Sequence, residues 1–245
     1  MRPPSSPACA EGILALWLRA RWNGRQKPTI PLSATHMLDR KTMGLLSRLG
    51  RPPRLLCIAI YGEPGLREKA KPVSEVTDEI RQLAERMTTT MYENETRGIG
   101  LAAPQVDVSV RMVIIDTSGD GPPSPDASPG ELLLEPRMPL VLINPELTPA
   151  TTETSIYNEG CLSIPGIGGD VERPTAVHLK AKGIDGTAIE IECGGLLARC
   201  LQHEIDHLDG ILFVDRMDEE DRAEVDGELR ALKKKTRKCL PRGRR

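Results

Sequence analysis

The sequence predicts an α+β domain, and three observations point to it. A helix of 3.6-residue periodicity runs from Ser74 to Met91, four short strands rich in Val, Ile and Leu come after it, and two further helices follow the strands. Helix, strands and helices in segregated order fit a sheet with helices packed on it better than alternating βαβ units.

Residues 1–52 stand outside this pattern. They are rich in Pro and Arg and show no sustained periodicity. Arg2, Arg19, Arg21, Arg25, Lys27, Arg40 and Lys41 outnumber Glu11 and Asp39, as in an organelle-targeting extension; translation starting at Met37 or Met43 is the competing explanation. In the first helix Val76, Ile80, Leu83, Met87 and Met91 fall three and four apart and so share a face. Thr77 precedes them as N-cap, with Asp78 and Glu79 in the first turn, where the helix dipole favours negative charge.

Met112–Ile115, Leu140–Ile143, Ala176–Lys180 and Thr187–Ile191 are short apolar runs bounded by Gly, Pro, Asp or Asn, as strands are. The last two are joined through Lys182–Gly186 and predict a hairpin. The stretch 118–139 has turn chemistry throughout and is expected to be a surface insertion. Leu196, Leu197, Cys200, Leu201 and Leu208 mark a second helix, and a third runs from Asp218 to Lys235 before a basic tail. The expected organisation is an N-terminal extension (1–52), a folded domain (53–217), and a C-terminal helix with basic tail (218–245).

The chain has 28% charged residues and a formal net charge of −2, so it exerts no global pull on nucleic acid or anionic membrane. Aromatic residues make up only 2%, which disfavours a base-stacking surface and requires an aliphatic core. Cys9, Cys57, Cys161, Cys193, Cys200 and Cys239 are scattered without a C-x-x-C pair, as reduced thiols are. The apolar run Gly12–Leu18 is far shorter than the roughly 18 residues that span a bilayer. Its strongest charges, Arg19 and Arg21, follow the run, whereas those of a secretory signal precede it.

The sharpest chemical signal is His203-Glu204-Ile205-Asp206-His207, an H-E-x-x-H motif inside the second helix. Residues four apart lie one turn above each other, so both imidazoles can face one metal ion while Glu204 reaches a water beside it. A catalytic site of this kind takes a third protein ligand. Asp206 and Asp209 share the turn but do not point the same way as the histidines. Cys161, in Glu159-Gly160-Cys161-Leu162-Ser163, is the better candidate, because Gly160 permits close backbone approach and a thiolate binds first-row metals tightly. A third segment, Gly98-Ile99-Gly100-Leu101-Ala102-Ala103-Pro104-Gln105, is a run of small residues ending in an amide just before a strand.

Together GIGLAAPQ at 98–105, EGCLS at 159–163 and QHEIDHLDG at 202–210, in this order and spacing, resemble the three signature motifs of the peptide deformylase family. The resemblance covers residues 55–217, including Pro64-Gly65-Leu66-Arg67, and leaves the termini and the 118–139 insertion outside it. It implies short antiparallel strands packed around a central metal-binding helix, with a C-terminal helix. It also implies a hydrolase that removes the formyl group from the N-terminal methionine of nascent polypeptides, releasing formate. Carried over position by position, Cys161, His203 and His207 are the metal ligands. Glu204 is the general acid/base, and Gln105 with the backbone N–H of Leu162 stabilises the oxyanion. The metal is one divalent ion, Fe2+ first, with Zn2+ or Ni2+ as alternatives. Gly98 and Gly100 line the path of an extended peptide, Ile99, Tyr157, Leu196 and Cys200 enclose the methionine side chain, and Arg173 lies near the peptide entrance. Arg199, where an aliphatic residue is also common, is expected to snorkel at the pocket rim.

Two other classes compete. A zincin-type metalloprotease shares H-E-x-x-H, but no downstream Glu or His is matched and the other two motifs are left without a role. A structural-metal or ribosome-associated module has no need of Glu204. The tail Lys233–Arg245 holds eight basic residues and no acidic one, so it is either a solvated end or a tether to ribosomal RNA phosphate. The expected compartment is the bacterial cytoplasm, or an organelle if residues 1–42 are a transit peptide.

Overall fold

The computed structural model describes residues 55–119, 124 and 126–239; the expected N-terminal extension and the tail residues 240–245 lie outside the described residues. Helix α1 (Asp78–Glu93) starts after Thr77, as its acidic first turn predicts, and buries Ala84, Met87 and Met91. Strands β1 (Gly100–Ala102), β2 (Met112–Ile115), β3 (Leu140–Pro149), β6 (Ala176–Gly183) and β7 (Ala188–Gly194) form one antiparallel sheet in the order β1-β2-β3-β6-β7. Strands β4 (Thr154–Cys161) and β5 (Ile164–Pro174) form a separate two-stranded sheet.

Both faces of the larger sheet are covered. Val113, Ile115, Leu142 and Leu179 pack with Leu197, Leu201, Ile205 and Leu208 of helix α3 (Gly195–Leu208). Met112, Ile114 and Ile143 pack with Met87 and Met91 of α1. This explains why Met112-Val113-Ile114-Ile115 is an unbroken apolar run and why all four residues are buried. A third cluster joins Ile164, Ile167 and Val171 of β5 to Phe213 and to Leu229 of helix α4 (Glu219–Cys239).

β3 continues past the predicted end at Ile143 because Asn144 interrupts the pattern without ending the strand. Asn144 takes φ 50° at a register shift, and its side-chain amide bonds both Val73 N and Val73 O at 2.8 Å. The 118–139 stretch also differs from expectation, since it contains helix α2 (Pro129–Leu134). Ser128 and Glu131 form a capping box, Ser128 Oγ accepts from Gly194 N at 2.8 Å, and Gly130 and Leu134 are buried. The second half of the insertion is therefore docked beside the start of α3.

Candidate metal centre

Helix α3 carries two of the key side chains and the end of β4 a third. One ligand atom each from Cys161, His203 and His207 lie within 4.8 Å of one another, the one such group found among the described residues. Cys161 Sγ is 3.2 Å from His207 Nε2. The chain's sole phenylalanine, Phe213, stacks on the His203 ring with centroids 6.1 Å apart.

Glu159 organises His203 from behind. Its Oε2 lies 2.8 Å from His203 Nδ1, while Arg173 donates from Nε to Oε1 at 2.7 Å and from Nη2 to Oε2 at 3.0 Å. Burial alone would raise the Glu159 carboxyl, but hydrogen bonds from His203 and Arg173 hold it well below the usual carboxylate range. With Nδ1 engaged, the other nitrogen of His203 is left for a metal, an arrangement common to histidine ligands. Burial also acts on the imidazoles. It opposes a raised His203 pKa, which the bonds to Cys161 and Glu159 nevertheless lift well above normal; His207 is driven well below normal, first by burial and then by the charge on His203.

Glu204 lies in the same turn, fully packed, with Oε2 buried and unpartnered by any described protein group. Burial pushes its pKa up to about 7, with the charges of His203 and Arg173 pulling against that of Glu159. Gly100 is what makes room for it: a Cβ at this position would meet Glu204 Cδ at 2.7 Å and Cγ at 2.8 Å. Gln105, also buried, is held in one orientation. Its Oε1 accepts from Ala102 N at 2.8 Å, which turns its Nε2 toward Cys161 Sγ at 3.4 Å and Ser163 Oγ at 3.2 Å. Leu162 follows Cys161 in the turn between β4 and β5, and a Cβ on Gly98 would come within 2.9 Å of its Cδ1.

The remaining predicted residues divide. Ile99 and Cys200 adjoin, with Cys200 Sγ 3.5 Å from Ile99 O, Leu196 is 40% exposed on the first turn of α3, and Tyr157 is half-buried on β4. Arg173 is not at a solvent entrance: it is 4% exposed and tied to Glu159 and to Asp206 Oδ2 at 2.8 Å. Arg199 is not at a rim either, because its guanidinium is buried on Glu159 and on the backbone of both strands of the hairpin. An exposed guanidinium was the natural expectation, since the partner carboxylate stands 14 residues from Arg173 and 40 from Arg199. The roles of Glu159 and Ser163 were not foreseen, although both sit inside the EGCLS motif; a charged residue two places before a ligand in a Gly-rich run was the available signal.

The donor set suits a metal. A thiolate and two imidazoles match first-row divalent ions, and the orphaned buried carboxyl oxygen of Glu204 is what a water beside such an ion would satisfy. Fold and donor set together describe an antiparallel-sheet protein with a candidate Cys/His/His metal site beside a buried carboxyl. A family model for polypeptide deformylase matches residues 55–223. A peptide deformylase of Acinetobacter baumannii is 50% identical over 161 residues, covering 66% of this chain and 82% of the relative. One of Gloeobacter violaceus is 43% identical over 171 residues, covering 70% and 82%. Among solved structures, a Synechococcus elongatus peptide deformylase in complex with actinonin has a TM-score of 0.60 at 41% identity, covering 75% of this chain and 87% of that one. A plant peptide deformylase has a TM-score of 0.64 at 35% identity, covering 78% and 96%. The chain belongs to the polypeptide deformylase family and is a hydrolase acting on formyl-methionine amides.

Gly100→Ala is expected to retain metal while formate release falls about 100-fold, because the new methyl group would lie 2.7 Å from Glu204 Cδ and so displace that buried carboxyl. Metal content and formate release measured on the same preparation check this; unchanged turnover would mean that the position of Glu204 does not matter.

Proposed function

We propose that Cys161, His203 and His207 hold one divalent metal, Fe2+ in the first instance, with Zn2+ or Ni2+ as alternatives, and that Glu204, Gln105 and Leu162 carry out formyl removal around it. The observation that carries this reading is the buried, half-unpartnered Glu204 carboxyl packed beside a Cys/His/His group toward which the Gln105 amide donates. When bound, the metal supplies Lewis acidity, lowering the pKa of a water and drawing charge from the formyl oxygen. Glu204 accepts the proton of the attacking water and delivers it to the departing amine, leaving formate and a free methionine N-terminus. Burial pushes the Glu204 carboxyl up and a cation beside it would favour its base form, the form that accepts the proton. Gln105 Nε2 and the Leu162 N–H donate to the oxygen on which charge grows, contributions typically worth about 2.7 to 4 kcal/mol for one such donor.

The substrate is the formylated N-terminus of a nascent chain. Among the described residues β1 and β4 each have one unpaired backbone edge, and an extended peptide can pair there past Gly98 and Gly100 while Ile99, Tyr157, Leu196 and Cys200 surround the methionine. Arg173 contributes by holding Glu159, not by touching the peptide. The test is formate release from formyl-Met peptides by anaerobically purified protein, with metal analysis. Formate in step with freed amine is the expected result; cleavage of internal peptide bonds without formate would favour the zincin reading. Against that reading, Asp206 is taken up by Arg173 and Arg216, and Asp209 by Arg111.

No helix among the described residues is long and apolar enough to cross a membrane. The compartment proposed is the bacterial cytoplasm, or an organelle if residues 1–42 are a transit peptide. A ribosome contact is part of the same proposal. Arg230, Lys233, Lys234, Arg237 and Lys238 gather around one surface depression on α4, a local basic face in a chain of net charge −2. Such a face binds RNA phosphate without reading sequence. The combined change Lys234→Glu, Arg237→Glu and Lys238→Glu spares the buried Thr236 and should weaken ribosome co-sedimentation at least about tenfold at low salt, with formate release from free peptides unchanged. Equal co-sedimentation leaves the solvated-end reading.

A further inference from the structure

We infer that Arg199 is a positioning residue for the metal centre, acting through Glu159 on His203; the inference rests on the metal-site reading above. Its guanidinium spans the hairpin. Nη1 donates to Glu159 Oε1 at 2.9 Å and Val171 O at 3.1 Å, and Nη2 to Ser155 O at 2.7 Å and Ser155 Oγ at 2.9 Å. Its carbon lies 5.4 Å from the centroid of the Tyr157 ring, and the side chain is 10% exposed.

The register of the two elements gives these contacts their meaning. Ser155, Tyr157 and Glu159 alternate along β4 and so share one face, and the register shifts between Gly160 and Cys161. Arg199 and His203 are four apart on α3 and so lie one above the other. One carboxylate, Glu159, is therefore gripped by two successive turns of the helix that carries both histidines, while it sits two residues from the cysteine they must meet. Arg173, from β5, already engages both oxygens of Glu159 and also reaches Asp206 on α3, so it ties the hairpin to the later turns of the helix. Arg199 adds a tie from the turn before His203, bonding the helix to Glu159 and to both strands of the hairpin and so helping to fix the spacing between Cys161 and His203. A rim residue reaching for substrate would leave its donors in solvent; here they are spent on four protein acceptors.

A plain packing role predicts lower thermal stability and nothing else, so the test reads the metal itself. Full-length wild type, Arg199→Met and Arg199→Lys are loaded with cobalt(II), and the visible and thiolate-to-cobalt bands, the rate of metal loss to excess chelator and the melting temperature are recorded. Arg199→Met is expected to lose metal about 10- to 100-fold faster with displaced cobalt bands, and Arg199→Lys to fall between. Wild-type bands and wild-type metal loss in Arg199→Met overturn the inference whatever happens to its melting temperature. If Arg199→Met does not fold, Arg199→Lys decides by the same two readouts. Formate release by the wild type is measured in parallel: cobalt binding at the cysteine without formate release rejects the proposed function and leaves the role of Arg199 standing, whereas a wild type that binds no cobalt overturns both.

Discussion

Glu204→Gln is expected to keep its metal and to lose about 10²- to 10⁴-fold in formate release, the range spanned by a positioned general acid/base. The change is nearly isosteric, so the packing around residue 204, including the close approach of Gly100, stays intact. What disappears is the proton site. A carboxylate can take a proton from water and give it to an amine leaving group, whereas an amide can do neither. Metal stoichiometry and single-turnover formate release from one preparation separate this outcome from loss of the ion. Turnover within a few fold of wild type would remove Glu204 from the chemistry.

Cys161→Ala, His203→Ala and His207→Ala should each behave differently from Glu204→Gln, losing metal and activity together. A three-ligand centre reduced to two donors loses both affinity and geometry, and less than about a tenth of the wild-type metal content is expected to survive purification. The three variants also differ among themselves. Removal of His203 leaves Glu159 with its two guanidinium partners, so the hairpin stays braced. Loss of His207, which is 1% exposed, opens a hole in the core beneath the site. Circular dichroism and melting temperature on the same samples separate ligand loss from unfolding. Full metal occupancy in any one of them would show that its residue is not a ligand.

How far the sequence disclosed this arrangement depends on how local each signal is. β2 was legible to the residue because a strand covered on both faces is apolar throughout. The helix bearing the histidines was legible because its apolar stripe and its chemical motif share one period. The β4–β5 hairpin left no comparable trace. Its strands place Gly160 opposite Gly168 and Glu159 opposite Gly169, and glycine lowers strand propensity where close backbone approach is needed. Helix α2 had a readable start, Ser128-Pro129-Gly130-Glu131, but these are also turn residues, and six helical positions are too few to show periodicity. Arg173 and Arg199 were misplaced for another reason. Arginine alone argues for solvent, and only the fold reveals that a carboxylate far along the chain is buried beside both.

The three candidate ligands come from two substructures that share no strand pairing: the cysteine from the small hairpin sheet, the histidines from a helix packed on the large one. An ion bound between them acts as a reversible cross-link, and its occupancy becomes a term in the folding equilibrium by mass action. At free metal 1,000 times the dissociation constant that term is about 4 kcal/mol, comparable to much of the net stability of a small domain. The proposed metal centre would thus also be a fastening, and the supply of metal in the surrounding solution would set how firmly it is closed.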